Sequence, residues 1–297
     1  MFVLTLLLVQ PPPAEPPDVL ARKMLPVYVR EAGEYTIAVA SAPDKRLERK
    51  PEPVFDWSNP VRSGLQQGVI YVWLRDGRPA AIGSFWSQPE DRKIVGRKVY
   101  HEFHALDPER LVVTRPAGAL NEWKPQAGLV RKELPDAGVP ADTPGARLVQ
   151  MRRLAQEFTG HETDGEGKRW DLRLLPAPLY RYPAAKSGMV DGALFTLVST
   201  AGTDPEVLLL IEAREVGGKL RWEYALGRFS DRSLYVSRND KEVWSLVRDE
   251  TNLHLNDPLH TYRVYPDKVV NLEGKLLARV RATEKVWWGE FLPVDEK

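Results

Sequence analysis

A phrase that recurs within the chain limits what the chain can fold into. Residues 101–123 read HEFHALDPERLVVTRPAGALNEW, and residues 222–244 read WEYALGRFSDRSLYVSRNDKEVW. Both carry a ring, a glutamate and a second ring, then Leu-x-Val-Ser/Thr-Arg, then a closing Trp. A glycine-led apolar hairpin precedes each copy, GVIYVWLRDGRPAAIGSFW at 68–86 and GALFTLVSTAGTDPEVLLLIEA at 192–213. A repeat of this length implies two similar globular units rather than a solenoid of short repeats.

Local patterning fills in the units. Residues 18–32 have helical apolar spacing at Leu20, Met24, Val27 and Tyr28, with Pro26 predicting a kink or an early stop. EYTIAVA at 34–40 alternates and reads as a strand. Asp76-Gly77 between two apolar runs is the strongest hairpin signal in the chain. KVYHEFHAL and RLVVTR, flanking Asp107-Pro108, read as a further strand pair. Thr143 can cap a helix that starts at Pro144 and carries its stripe on Leu148, Met151, Leu154, Ala155 and Phe158, with Gly160 as its stop. The order of helix, strand and meander thus occurs twice. The expectation is an α+β fold of two tandem similar units, each a helix packed on a mostly antiparallel sheet, cystatin-like or NTF2-like by analogy. The expected divisions are residues 1–17 as a signal segment or Pro-rich linker, 18–125 and 143–261 as the two units, 126–142 as a linker, and 262–297 as a C-terminal hairpin and tail.

Composition narrows the function classes. Lys and Arg number 42 against 41 Asp and Glu, so no overall field draws the chain to nucleic acid. The absence of cysteine excludes disulfides, a thiol nucleophile and thiolate-bound metal clusters. Phe2 to Val9 are apolar or nearly so, too short a run to span a bilayer but suited to the apolar region of a signal peptide. An extracytoplasmic location, periplasmic or secreted, is therefore expected, with the cytoplasm as the alternative.

Several phrases together, DGRPAAIGS, HEFHAL, LRLLPAPLYRY and DGALFTLV…GTDPEVLLLIEAR, resemble a group of uncharacterised exported bacterial proteins over roughly residues 50–245. The resemblance implies export and supplies no activity, cofactor or site residue.

Candidate chemistry is sparse. His101, Glu102 and His104 lack the helical HExxH spacing, and on a strand their side chains alternate faces, so no metal site is expected there. Trp222 stands where His101 does in the other copy, which marks that face as core. Glu102 and His104 share the opposite face as a possible general-base pair, with Glu223 as the counterpart of Glu102. The plainer reading of that face is solvated sheet. The acid- and glycine-rich loop Gly160–Gly167 offers oxygen ligands but lacks an EF-hand pattern and reads as a polar turn. In LRLLPAPLYRY, Pro176 and Pro178 exclude a regular central ladder. Its Arg173, Tyr180, Arg181 and Tyr182 suggest a ligand groove, with Trp57 and Arg62 at the matching place in the first unit; an edge strand whose tyrosines cover the core is the alternative.

No phosphate loop, GxSxG or SxxK motif is present, and no cofactor is expected. The leading expectation is a non-enzymatic, exported, two-unit protein that binds a small molecule, a glycan or another protein at the seam or along the Pro/Arg/Tyr strand. Nucleic acid and an integral membrane span are excluded as modes of action. A hydrolase using the Glu102–His104 pair is the second reading. A structural component of a surface assembly, contacting through Trp287 and Trp288, is the third.

Overall fold

The computed structural model describes residues 16–62, 65–90, 95–116, 123–183, 188–248, 259–283 and 286–293. The expected signal segment lies outside the described residues. In chain order come helix α1 (Pro17–Gly33) and strands β1 (Thr36–Val39), β2 (Glu48–Arg49), β3 (Phe55–Asn59), β4 (Gln66–Arg75), β5 (Arg78–Glu90), β6 (Gly96–Ala105), β7 (Leu111–Thr114) and β8 (Arg131–Glu133). Helix α2 (Pro144–Ala155) follows, then β9 (Phe158–Thr163), β10 (Arg169–Leu174), β11 (Tyr180–Pro183), β12 (Met189–Ser199), β13 (Pro205–Val216), β14 (Lys219–Arg228), β15 (Ser233–Arg238) and β16 (Lys241–Leu246). The described chain closes with β17 (Tyr262–Val270), β18 (Leu276–Thr283) and β19 (Val286–Pro293).

The α+β expectation is overturned. Among the described residues strands make up 53% and helices 12%, and the architecture is two curled antiparallel sheets rather than tandem helix-on-sheet units. The first sheet has the order β19-β18-β17-β6-β5-β4-β2 with β3 also on β4, and the second β16-β15-β9-β10-β12-β13-β14-β8 with β11 also on β12. β1 pairs with β7, and a single bridge from Ala38 to Arg46 leads from β1 toward β2. The two orders therefore run alike, β7-β1-β2-β4-β5-β6-β17 against β15-β9-β10-β12-β13-β14-β8. The final strand in each series comes from the other part of the chain. β8 follows the first set of strands and pairs with β14, while β17 follows the second and pairs with β6. Each sheet thus takes a strand from beyond the other, β8 at the edge of the second and β17 between β6 and β18 in the first, a coupling that the tandem reading did not contain.

The physical reason for a mostly β fold is that the long strands are apolar on both faces. Along β4, Val69, Tyr71 and Trp73 enter a core beneath α1, whereas Ile70, Val72 and Leu74 point the other way. Along β13, Val207, Leu209 and Ile211 face the α2 side, whereas Leu208 and Leu210 face the first sheet. A strand with apolar residues on both sides needs cover on both. The helices cover the outer faces, and the sheets cover each other at a seam shared by Ile70, Ile82, Leu194, Leu208, Leu210 and Phe229.

Local signals explain several elements. Asp76 and Gly77 both take positive φ, 50° and 82°, and close the β4–β5 hairpin. Thr143 Oγ1 accepts from Ala146 N at 3.3 Å and caps α2, which ends at Ala155, well before Gly160. Helix α1 runs through Pro26 instead of stopping there. Pro26 and Arg22, whose carbonyl loses its donor, lie on the exposed side, and Leu20, Met24, Val27 and Tyr28 anchor the buried one. β6 and β7 do not form the expected hairpin, since β7 pairs with β1. The expected linker 126–142 contains β8.

Because the seam is common to both sheets, Leu208→Ala, which empties a site of 0% exposure, should destabilise the protein by about 2–5 kcal/mol. Urea unfolding followed by far-UV dichroism should show one transition moving to lower denaturant. Two separated transitions would mean that the sheets unfold independently.

Candidate functional site

A cavity of about 290 Å³ opens at the seam. β3 to β6 and β17 supply one wall, and the start of β13 with the turns before β13 and β15 supplies the other. Side chains alternate along β5, so Phe85 enters the α1 core while Ser84, Trp86 and Gln88 face the cavity. Trp86 stacks on Tyr100 with ring centroids 4.1 Å apart and planes within 6°. Trp57 lies against Trp86 at 6.0 Å and donates its Nε1–H to Ser84 Oγ at 3.0 Å. Trp86 Nε1 is buried without a hydrogen-bond partner. Gln66 donates to Gln88, which donates to Tyr100 Oη at 3.2 Å.

The facing wall is acidic. Arg62 reaches across the seam to Asp204 at 2.9 Å, Glu206 at 2.8 Å and Glu162 at 3.0 Å. Arg232 also pairs with Glu162, at 2.7 Å, and Asn59 Nδ2 donates to both Asp204 oxygens. Burial raises Asp204 to about 7, reinforced by Glu206 and offset in part by Arg62. Burial likewise raises Glu206 to about 7, with Arg62 opposing and Glu162 adding to the shift. On the aromatic side, Glu102 accepts from Tyr262 Oη at 2.6 Å, its one hydrogen bond among the described residues. Burial pushes its carboxyl well above the ordinary range, and the nearby Glu206, Asp231 and Asp204 push the same way. Such a cluster can exchange protons near neutral pH and can accept hydrogen bonds or positive charge from a ligand.

The sequence-derived candidates separate cleanly. Trp57, Arg62 and Glu102 line the cavity. His104 shares the seam face with Glu102 but does not line the cavity. Its Nδ1 contacts the Ala105 carbonyl oxygen at 2.6 Å, and burial lowers it to about 4. No hydrogen bond joins it to Glu102. Glu223 pairs with Arg214 at 3.3 Å, away from the cavity. Tyr182 is fully buried and donates to Glu212 at 2.9 Å, while Arg181 is held by Asp191 and the Pro144 carbonyl. Tyr180 is half-buried beside Tyr182, and Arg173 is exposed, donating to the Gly202 carbonyl. The Pro/Arg/Tyr segment is thus two short strands on β12, and these four side chains do not converge on one pocket. The face bearing Glu102 and His104 is not solvated, because the second sheet covers it.

The acidic wall escaped sequence reading. Asp204 and Glu206 flank Pro205 in a hairpin turn and look like ordinary turn residues. Only Arg62, more than a hundred positions away in the sequence, makes them a cluster. Of the expected loop Gly160–Gly167, residues 160–163 belong to β9, and in the turn that follows Asp164 accepts from the amides of Glu166 and Lys168 and from Trp170, which makes it a turn cap.

Glu31, His101 and Asp267 also converge in the first core. Arg115 lies 3.0 Å from Glu31 and 2.6 Å from Asp267, and Lys268 lies 2.8 Å from Glu31, so the acids already have cations. Burial lowers His101 to about 3 and keeps it neutral, with Tyr35 at 2.6 Å from its Nδ1. This is a buried ion-pair group tying α1 to β17. Among the described residues no helix is long and apolar enough to cross a membrane.

Comparison with protein-family models, with curated proteins and with solved structures returns no match. The site is read from its own geometry.

The raised carboxyls predict a pH signature. A carboxyl whose folded pKa exceeds its unfolded value stabilises the fold below the unfolded value and loses that contribution as pH rises through the folded one. Wild-type stability should therefore fall relative to Glu206→Gln between pH 5 and 8, by roughly 2–3 kcal/mol. Urea denaturation of both proteins across that range tests it, and parallel curves would refute the shift.

Proposed function

We propose that the protein binds a small ligand in the seam cavity. The observation that carries this reading is the pairing of a stacked Trp86–Tyr100 wall with an opposing set of buried acids around an open space of about 290 Å³. A stacked aromatic surface accommodates the flat face of a sugar ring or an apolar body, and the polar wall orients it. The matching strand orders support descent of the two strand sets from one duplicated ancestor. The apolar N-terminal run and the resemblance to exported proteins support a place outside the cytoplasm, which the mature N-terminus of purified protein would test.

Tryptophan fluorescence titrations against monosaccharides, peptides and cell-envelope fragments test the binding reading. A bound ligand should perturb the emission, and Trp86→Ala should weaken its affinity at least tenfold. Absence of any response across these classes, in fluorescence and in thermal shift alike, would remove the reading.

One observation favours a second reading. Asp204 and Glu206, both raised to about 7, have the range needed for general acid–base work in a hydrolase. They take the place of the Glu102–His104 pair, whose members do not touch. If chromogenic glycosides or esters are turned over, Glu206→Gln should lower kcat by roughly 10²–10⁴. An unchanged kcat would discard the acid–base role.

A further inference from the structure

The seam carries a cluster of buried acids at each of two places, around Glu212 and around the cavity, and the two differ in the cations that meet them. Trp57 pairs in register with Gly68 and donates to Ser84, while Tyr182 pairs with Gly192 and donates to Glu212. Ser84 lies opposite Glu102 on the neighbouring strand, and Glu212 lies opposite Glu223. Along the next strand the registers part, Gly68 pairing with Trp86 and Gly192 with Glu212, so the two ends correspond by strand and not residue by residue. On the exchanged strands, Tyr262 of β17 faces His104 and Arg131 of β8 faces Ala225.

At the Glu212 end the seam is closed. Arg78 crosses from the first sheet to Glu212 at 2.6 Å, and Arg131 joins at 3.0 Å. Although burial opposes it, these two guanidinium groups hold the Glu212 carboxyl below the ordinary range. At the cavity end Glu206 and Glu102 face the open space, and Tyr262, not a guanidinium, is the hydrogen-bond partner of Glu102. No guanidinium or ammonium group among the described residues lies within ion-pair distance of Glu102, which is 8% exposed and faces the cavity. The nearby Arg228 is engaged with the carbonyls of Ser230 and Arg232 and lies over the Tyr262 ring. Arg62 and Arg232 are engaged with the acids of the far wall. Arg248 also lines the cavity, 3.8 Å from Asp231, so the lining sets three guanidinium groups against the five carboxyls of Glu102, Asp164, Asp204, Glu206 and Asp231 and is short of positive charge.

Resting on the seam-binding reading, we infer that the cavity takes a small organic cation, an ammonium or guanidinium compound, whose charge lies between Glu102 and Glu206 and whose body rests on the Trp86–Tyr100 wall. The ligand supplies the cation that the chain supplies for itself at the other end. Tyr100, Tyr262, Trp57 and Trp86 add cation–π attraction to the carboxyl charge. In the empty protein, protons on the buried carboxyls substitute for that cation, in keeping with their raised affinity for protons. Entry of the ligand should expel them.

Matched probes isolate charge from shape. Glucosamine against glucose, and benzamidine against benzamide, should be titrated into the full chain at pH 6.5 by calorimetry with parallel tryptophan fluorescence. The charged member of at least one pair should bind tenfold or more tightly than its neutral partner. Calorimetry in two buffers of different ionisation enthalpy should show net proton release. Glu102→Gln, which keeps the side-chain shape and the Tyr262 contact, should bring the preference to within threefold, with its melting curve recorded to confirm folding. Neutral members that bind as well as charged ones would overturn the cation assignment and leave seam binding intact. No binding of either charged probe would also overturn it, and proton uptake instead of release would do the same. Only silence across the wider ligand screen would remove the cavity reading itself.

Discussion

Everything in this molecule follows from strands that are apolar on both faces. An isolated sheet covered by one helix leaves its second face in water, at roughly 25 cal/mol for every Å² of apolar surface left exposed. Two such sheets solve the problem together. Each turns one face to its helix and the other to its partner, and Ile70, Val72, Leu194, Leu208 and Leu210 make the shared core. The exchange of β8 and β17 adds backbone hydrogen bonding to that packing, since each sheet pairs with a strand from beyond the other.

The cavity is a by-product of the same geometry. Two curled sheets packed face to face fill their middle with aliphatic side chains and part at their ends. At one end Arg78, Arg131 and Tyr182 fill the gap around Glu212. At the other, Ser84 is small and Glu206 is an acid, and the gap stays open. Close approach of the backbone shapes both ends. A side chain at Gly68 would meet Trp86 Cβ at 2.4 Å, and one at Gly192 would meet the Tyr182 ring at 2.3 Å. Gly192 lets the Tyr182 ring lie over its strand, and Gly68 lets the backbone of β5 approach β4 closely.

Buried charge plays different parts in the three places where it collects. Around Glu31 and Asp267, cations and acids neutralise one another and tie α1 to β17. Around Glu212, the pairing crosses the seam and closes it. Around Asp204, Glu206 and Glu102, acids exceed the cations that reach them, so protons make up the difference. A buried acid without a full complement of partners is unfavourable for stability, and such sites concentrate where a protein acts.

Much of this was legible in the chain. Period-two alternation placed His101 and Phe103 in a core with Trp222 and Tyr224 as their counterparts, and Asp76-Gly77 announced a hairpin. Trp57, Arg62 and Glu102 could be picked out as candidate residues because they stand at matched positions of a recurring pattern. Other features depended on which surfaces meet. That Glu102 faces a cavity and not solvent is decided by the second sheet. That Asp204 and Glu206 form an acidic wall is decided by Arg62 reaching across the seam. Local sequence sets the path of each strand through backbone conformation and side-chain alternation. Burial, and with it the proton affinity of every acid here, is set by the partner that packs on top, and that partner lies a hundred or more residues away.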